Sequence, residues 1–368
     1  MKHVRGLLAG AVAATVLGWV SGAMAAEEPK LNIYNWSDYI AEDTIAKFEA
    51  ETGIKVTYDV YDSNEVLEAK LLAGRSGYDL VVPTGTFLER QIKAGIYQPL
   101  DRAKLSNYGN LDPKIMKEAA AHDAGNAHAI VYMWGTNGYG WNPEKVAAAA
   151  GADAPTDSWK LVFDPEWAAK VSKCGLYVLD SPSEILPLAL NYLGLDPHSQ
   201  SPEDLKKAEE LLVKVAPYVT KFHSSEYINA LASGDACVAV GFSGDVFIAR
   251  SRAEESGNNI KINYTIPTEG TIMWFDMMAI PKDAPHPENA HKFIDFVMRP
   301  EITAGITNFV WYANANTKAL PMVDEEVRND PGVFPPPEVM ERLFSNVTPD
   351  QAVERLRTRA WSRIKTGK

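Results

Sequence analysis

The chain has 368 residues and a formal net charge of −12. That length accommodates two domains of ordinary size, and that acidity argues against nucleic acid and anionic membrane surfaces as partners. Only two cysteines are present, Cys174 and Cys237, with no Cys-x-x-Cys, which leaves no basis for a metal ribbon or a redox motif.

Residues 1–25 read as an export signal. Lys2 and Arg5 form a positive head, an apolar run follows from Leu7 to Val20, and Ala23-Met24-Ala25 offers a small-x-small cleavage pattern. The run is short for a permanent anchor, and no cysteine follows it to carry a lipid. Removing Lys2 and Arg5 takes the formal charge from −12 to −14. Such acidity suits a cationic ligand, and solubility alone explains it equally well. Export also places Cys174 and Cys237 where disulfides persist, so one bridge between them is expected.

Short apolar strands then alternate with amphipathic helices. The sequence predicts a strand at 32–34, a helix over 43–51 stopped by Gly53, and a β-branched strand at 56–60. A helix over 64–73, an apolar strand at 79–83 and a helix over 86–94 complete the first region. A second region of the same kind runs over 135–254. It carries helices near 164–171, 184–193 and 203–215 and strands at 175–179 and 237–240. Strands at 260–266 and 272–280, helices over 287–298 and 300–308, a short helix at 338–344 and a last helix over 349–365 follow. This order implies an α/β fold with a parallel sheet covered on both faces.

In open sheets of that kind ligands bind beyond the carboxyl ends of the strands. The rule selects Asn35-Trp36-Ser37-Asp38-Tyr39, Thr84-Gly85-Thr86 and Phe242-Ser243-Gly244-Asp245. Trp274-Phe275-Asp276 within a returning strand, and Tyr312 after a helix, join them. An aromatic beside an acid recurs: Trp36 with Asp38 and Tyr39, Phe242 with Asp245, Trp274 with Asp276. Glu184 opens a helix. Any one pair fits a core ring beside a loop cap. Several together suit a flexible polycation, whose ammonium groups need carboxylates or ring faces and whose methylenes need flat apolar walls.

Catalytic and cofactor chemistry is not indicated. There is no His-Glu-x-x-His, no phosphate-cradling glycine loop and no dinucleotide fingerprint. Gly241-Phe242-Ser243-Gly244-Asp245 departs from a nucleophile elbow at its last position. No metal and no cofactor are expected.

Eight segments carry a resemblance to a known family. They are Ile33-Tyr34-Asn35-Trp36-Ser37-Asp38-Tyr39-Ile40, Asp62-Ser63-Asn64-Glu65, Tyr78-Asp79-Leu80-Val81-Val82-Pro83, Asp157-Ser158-Trp159, Phe222-His223-Ser224-Ser225, Gly244-Asp245-Val246, Trp274-Phe275-Asp276 and Tyr312-Ala313-Asn314-Ala315. In this order they resemble the periplasmic polyamine-binding proteins, the spermidine/putrescine-binding components of ABC importers. The resemblance covers essentially the whole chain after residue 25. It implies a type II periplasmic binding protein-like fold, with two α/β lobes, a hinge and a ligand cleft between them. It places the crossings near 134–138 and 254–258, one lobe at 26–135 plus 255–302, and the other at 136–254 plus 303–368.

By the same resemblance, Asp245 and Asp276 pair with ligand ammonium groups, and Trp36, Phe242 and Trp274 wall the methylene chain. Ser37, Asp38, Thr84, Glu184 and Tyr312 bond the amines directly or through water, with Tyr39 as a further wall. Ser225 reads instead as a helix N-cap. Three positions depart from many relatives: Phe242 replaces Trp, Thr84 replaces Ser, and Trp274 stands where putrescine-preferring relatives tend to carry Phe. The last difference leans the ligand toward spermidine. The implied protein is a periplasmic monomer that binds a polyamine and hands it to an inner-membrane ABC permease; a putrescine-preferring binder, or a sensory subunit for a signalling receptor, is the alternative.

Overall fold

The structure is a computed structural model that describes residues 27–367, so the expected export signal lies outside the described residues. Among these, nine strands form one sheet: β1 Lys30–Trp36, β2 Lys55–Tyr61, β3 Leu80–Val81, β4 Ala129–Trp141, β5 Leu176–Val178, β6 Lys221–Phe222, β7 Val238–Phe242, β8 Asn263–Thr265 and β9 Met273–Ala279. Their order is β2-β1-β3-β9-β4-β7-β5-β6, with β8 also on β4. The parallel expectation holds in the outer parts, where β1 pairs β2 and β3, and β5 pairs β6 and β7. It fails at the centre. There β9 runs antiparallel to both β3 and β4, and β7 antiparallel to β4.

The centre is built on β4, which joins two halves of the sheet. From Ala129 to Thr136 it pairs with β9, and from Asn137 to Trp141 with β7. The sequence marks this stretch only as a crossing, for two physical reasons. Its first twelve residues are all buried, so the polar alternation of a half-solvated strand is missing. Gly135, Gly138 and Gly140 also resemble breakers. Their role is close approach: a Cβ on Gly135 would stand 2.7 Å from the Trp274 ring.

Helices follow strand ends as the alternation predicts. Helix Gly85–Lys93 follows β3, helix Pro182–Tyr192 follows β5, and helix Ser243–Glu255 starts directly after β7. The expected helix at 338–344 shortens to Pro337–Met340, and the expected strand at 260–266 to β8. Cys174 and Cys237 form a disulfide with a Cα separation of 5.4 Å, tying the approach to β5 to the approach to β7. Among the described residues no helix is long and apolar enough to cross a membrane.

Strand pairing links some segments to both halves of the sheet. Residues 255–302 were assigned to the first lobe, yet β8 pairs with Tyr139–Trp141 in the second half. At the start of β9, Met273 comes to face Thr136. Residues 303–368 were assigned to the second lobe, yet Ala313 bridges Trp134 and the Thr317 N–H donates to the Asn110 carbonyl. The last helix, Gln351–Thr366, does lie on the second half: Trp361 Nε1 donates to Asp180 at 2.8 Å, and Arg363 pairs with Glu209.

Candidate ligand-binding site

The carboxyl ends of β1, β2, β3 and β7 meet the middle of β9 around one cavity. Ten of the eleven sequence-selected residues line it: Trp36, Ser37, Tyr39, Thr84, Glu184, Phe242, Asp245, Trp274, Asp276 and Tyr312. Asp38 does not. Its backbone takes a left-handed conformation, φ +54°, and its carboxylate turns outward to accept from Arg252 at 2.6 Å.

Each acid is held by a local element. Asp245 sits in the first turn of helix Ser243–Glu255, where the amino-terminal end of the helix favours negative charge. Its carboxylate accepts from the hydroxyls of Tyr227 at 2.5 Å and Tyr312 at 2.8 Å. Gly244 makes this possible, because a Cβ there would stand 2.4 Å from the Tyr312 ring. Asp276 lies on β9 and accepts from Thr84 Oγ1 at 2.6 Å, and Asn64 Nδ2 donates to that hydroxyl at 2.9 Å. Glu184, in the first turn of helix Pro182–Tyr192, accepts from Asn137 Nδ2 at 2.9 Å.

The aromatic walls contact one another edge to face. Ring centroids of Phe242 and Trp274 are 5.8 Å apart, those of Trp274 and Tyr312 5.2 Å, and those of Tyr39 and Tyr312 5.2 Å. Trp36 stands 6.4 Å from Phe242 and is fixed by its Nε1 donating to the Val82 carbonyl. Several polar atoms of this region are buried without a hydrogen-bond partner, among them Tyr39 Oη, Ser224 Oγ and Trp274 Nε1.

The electrostatics are one-sided. Four carboxylates, Asp62, Glu184, Asp245 and Asp276, line the cavity, and among the described residues no Lys or Arg does. Burial dominates the protonation of Asp245, Asp276 and Glu184. It pushes Asp245 up to about 6, against the pull of its two tyrosine hydrogen bonds. Asp276 is pushed up to about 7 by burial, with the Thr84 hydrogen bond opposing and Asp245 adding to the rise. Glu184 is pushed up to about 8 by burial, with Asn137 opposing and Glu65 adding to it. A cation entering this cavity would restore the carboxylates to their charged forms.

A family model described as bacterial extracellular solute-binding protein matches residues 43–335. The chain belongs to that family. It is 56% identical over 358 residues to the putrescine-binding periplasmic protein SpuD of Pseudomonas aeruginosa (strain UCBPP-PA14), covering 97% of this chain and 98% of the relative. It is 50% identical over 368 residues to the putrescine-binding periplasmic protein PotF of Escherichia coli (strain K12), covering 100% and 98%. The fold matches the spermidine/putrescine ABC transporter substrate-binding protein PotD of Streptococcus pneumoniae strain Canada MDR_19A with a TM-score of 0.73 at 29% identity, over 92% of this chain and 98% of that one. This family member thus has the type II periplasmic binding protein-like fold. It is a periplasmic solute-binding protein of transport rather than an enzyme.

Sequence reasoning missed four lining residues of this solute-binding protein: Asp62, Asn64, Ser224 and Ser225. The strand-end rule, applied to β2 as it was to β1 and β3, selects Asp62 and Asn64. Ser225 was read as an N-cap, and the structure assigns it otherwise. Helix Tyr227–Ser233 starts later and takes no side-chain cap from it. Instead His223 Nδ1 accepts from the Ser225 and Glu226 N–H groups at 3.1 Å each, which leaves the Ser225 side chain to the cavity wall.

Proposed function

We propose that the protein captures a polyamine in the periplasm and presents it to the inner-membrane permease of an ABC importer. The observation that carries this reading is the cavity itself, aromatic-walled, with four carboxylates and, among the described residues, no basic side chain. Buried charges without partners cost several kcal/mol each, and a cationic chain supplies partners for them while its methylenes lie against Trp36, Phe242 and Trp274. Asp245, Asp276 and Glu184 take the ammonium groups, Thr84 and Tyr312 orient the carboxylates, and Tyr39, Ser37, Asp62 and Ser225 complete the wall.

Putrescine is the first reading for the ligand. The relatives at 56%, 50% and 44% identity are described as binding putrescine, or putrescine and agmatine. They give no support to the lean toward spermidine taken from Trp274. Spermidine remains a second reading on one observation of this chain: Glu184 and Asp62 add to the Asp245 and Asp276 pair, enough carboxylates for a third ammonium. Isothermal titration with putrescine, spermidine and the uncharged 1,4-butanediol tests both levels. Tighter binding of putrescine supports the first reading and tighter binding of spermidine the second. Heat from butanediol equal to that from putrescine sinks the polyamine reading.

The first lobe is taken to hold β1–β3, β9 and β4 through Thr136, and the second β4 from Asn137 with β5–β8 and the last helix. Ligand bridges them and favours closure, because each lobe supplies part of the cavity. The protein acts as a monomer in this scheme, which sedimentation in the presence of ligand tests.

A further inference from the structure

Two tyrosines grip Asp245, and only one of them belongs to the cavity. Tyr312 lines it. Tyr227 does not; it is fully buried at the start of helix Tyr227–Ser233. Its hydroxyl donates to Asp245 Oδ2 at 2.5 Å and accepts from the Phe242 N–H at 3.1 Å. Burial, with the Asp245 charge adding to it, holds the phenol pKa well above the usual tyrosine value, so the hydroxyl stays a donor.

The second bond has its cause in the sheet. β7 pairs with β5 only through Val238 and Ala239, so by Phe242 the chain has run past the end of that neighbour. The phenol oxygen supplies the acceptor that the sheet no longer offers. Two glycines admit the rings. A Cβ on Gly241 would stand 2.3 Å from the Tyr227 ring, and one on Gly244 2.4 Å from the Tyr312 ring. The run Gly241-Phe242-Ser243-Gly244-Asp245, which departs from a nucleophile elbow, is thus a seat for two tyrosines on one carboxylate.

We infer that Tyr227 is a positioning residue for polyamine capture: without touching the ligand, its hydroxyl fixes the Asp245 carboxylate and ties it to the Phe242 wall, so that the ammonium site and the apolar wall keep one spacing. The inference rests on the reading of Asp245 as an ammonium partner. The same bond favours the charged carboxylate, opposing the burial that pushes Asp245 up to about 6. The other groups facing Asp245 are Tyr312, Tyr39 and Asp276 around the cavity, and Asp38 and Arg252 outside it.

Tyr227→Phe in the full mature protein tests this. It keeps the ring against Gly241 and removes only the hydroxyl. Asp245 then holds its proton to higher pH, and binding has to remove it. Titration calorimetry with putrescine should find a small loss at pH 8 and a gap to the wild type that widens about tenfold by pH 5, the worth of one charge-assisted hydrogen bond. Asp276 ionises more easily beside a neutral Asp245, which trims the widening and does not reverse it. A loss equal at every pH, with a lowered thermal midpoint, would make Tyr227 merely structural and overturn the inference, as would unchanged affinity throughout. If the variant does not fold, the wild-type putrescine complex decides. Tyr227 Oη bonded to both Asp245 and the Phe242 N–H, and clear of the diamine, supports the inference; Tyr227 touching the diamine, or parted from Asp245, overturns it. A wild type that binds neither putrescine nor spermidine would sink the polyamine reading and this inference with it, whereas the other contrary results overturn this inference alone.

Discussion

Replacing Asp276 by Asn removes one negative charge and preserves the shape of the side chain. The carboxylate is buried and is pushed up to about 7. Its charge-assisted bond to an ammonium group is worth about 1.5–3 kcal/mol. Leaving that ammonium unpaired raises the loss toward about 3–5 kcal/mol. At pH 8 the variant should therefore lose roughly 150-fold or more in polyamine affinity, the equivalent of about 3 kcal/mol. The loss should shrink in acid. Deprotonating a group with a pKa of about 7 costs the wild type about 0.4 kcal/mol at pH 7 and about 2.7 kcal/mol at pH 5. The variant does not incur this cost. Glu184, whose pKa Asp276 helps to raise, is also easier to ionise in the variant, which shrinks the loss in the same direction.

Stability should move the opposite way. The folded pKa of Asp276 lies above its ordinary value of 3.8, so the folded state holds the proton more tightly. That contribution is complete below the ordinary value and is lost as pH rises through about 7. Ligand-free Asp276→Asn should then melt above the parent at pH 8, with the gap closing toward acid. Titration calorimetry and thermal melts across pH 5 to 8 read both effects. Unchanged affinity at pH 8, or an affinity gap independent of pH, would refute the reasoning.

Trp274→Phe should cost little for putrescine and more for spermidine, since the indole offers a cation–π face of about 0.5–2 kcal/mol and fills volume; a lowered melting point with an unchanged affinity ratio would make Trp274 merely structural. Binding at neutral pH should release protons from Asp245, Asp276 and Glu184, so the calorimetric enthalpy should vary with the ionisation heat of the buffer; a buffer-independent enthalpy contradicts the raised pKa values. Reducing the Cys174–Cys237 bridge, with 63 residues of sequence separation, should destabilise the protein by about 4 kcal/mol on the loop-entropy estimate; two reactive thiols in the unfolded, unreduced protein would show no bridge. Solution scattering should give a smaller radius with saturating ligand, and an identical curve would leave closure without support.

Most outer elements were legible because their signals are local. The helices at 43–51 and 203–215 carry one apolar face and clear stops, and the short strands beside them are framed by turn residues. The cavity-lining residues were legible because strand ends in such sheets are where backbone and side chains reach a shared opening. What stayed hidden was long-range. The strand β4 is buried on both faces, so it lacks alternation. Its glycines answer to residues far away in sequence, Gly135 to Trp274, Gly138 to Tyr264 and Gly140 to Val246, and not to a local turn. Asp38 carried the right residue type in the right segment, but a left-handed backbone turns it to Arg252, and nothing local encodes that partner.

The central claim is that the buried carboxylates of this cavity hold a polycation. The most direct test is a crystal structure of the mature protein with putrescine. The account predicts one diamine in the cavity, its ammonium groups hydrogen-bonded to Asp245, Asp276 or Glu184 and its methylenes against Trp36, Phe242 and Trp274. Putrescine bound elsewhere on the protein, or a cavity that holds only water at saturating putrescine and spermidine alike, would contradict it.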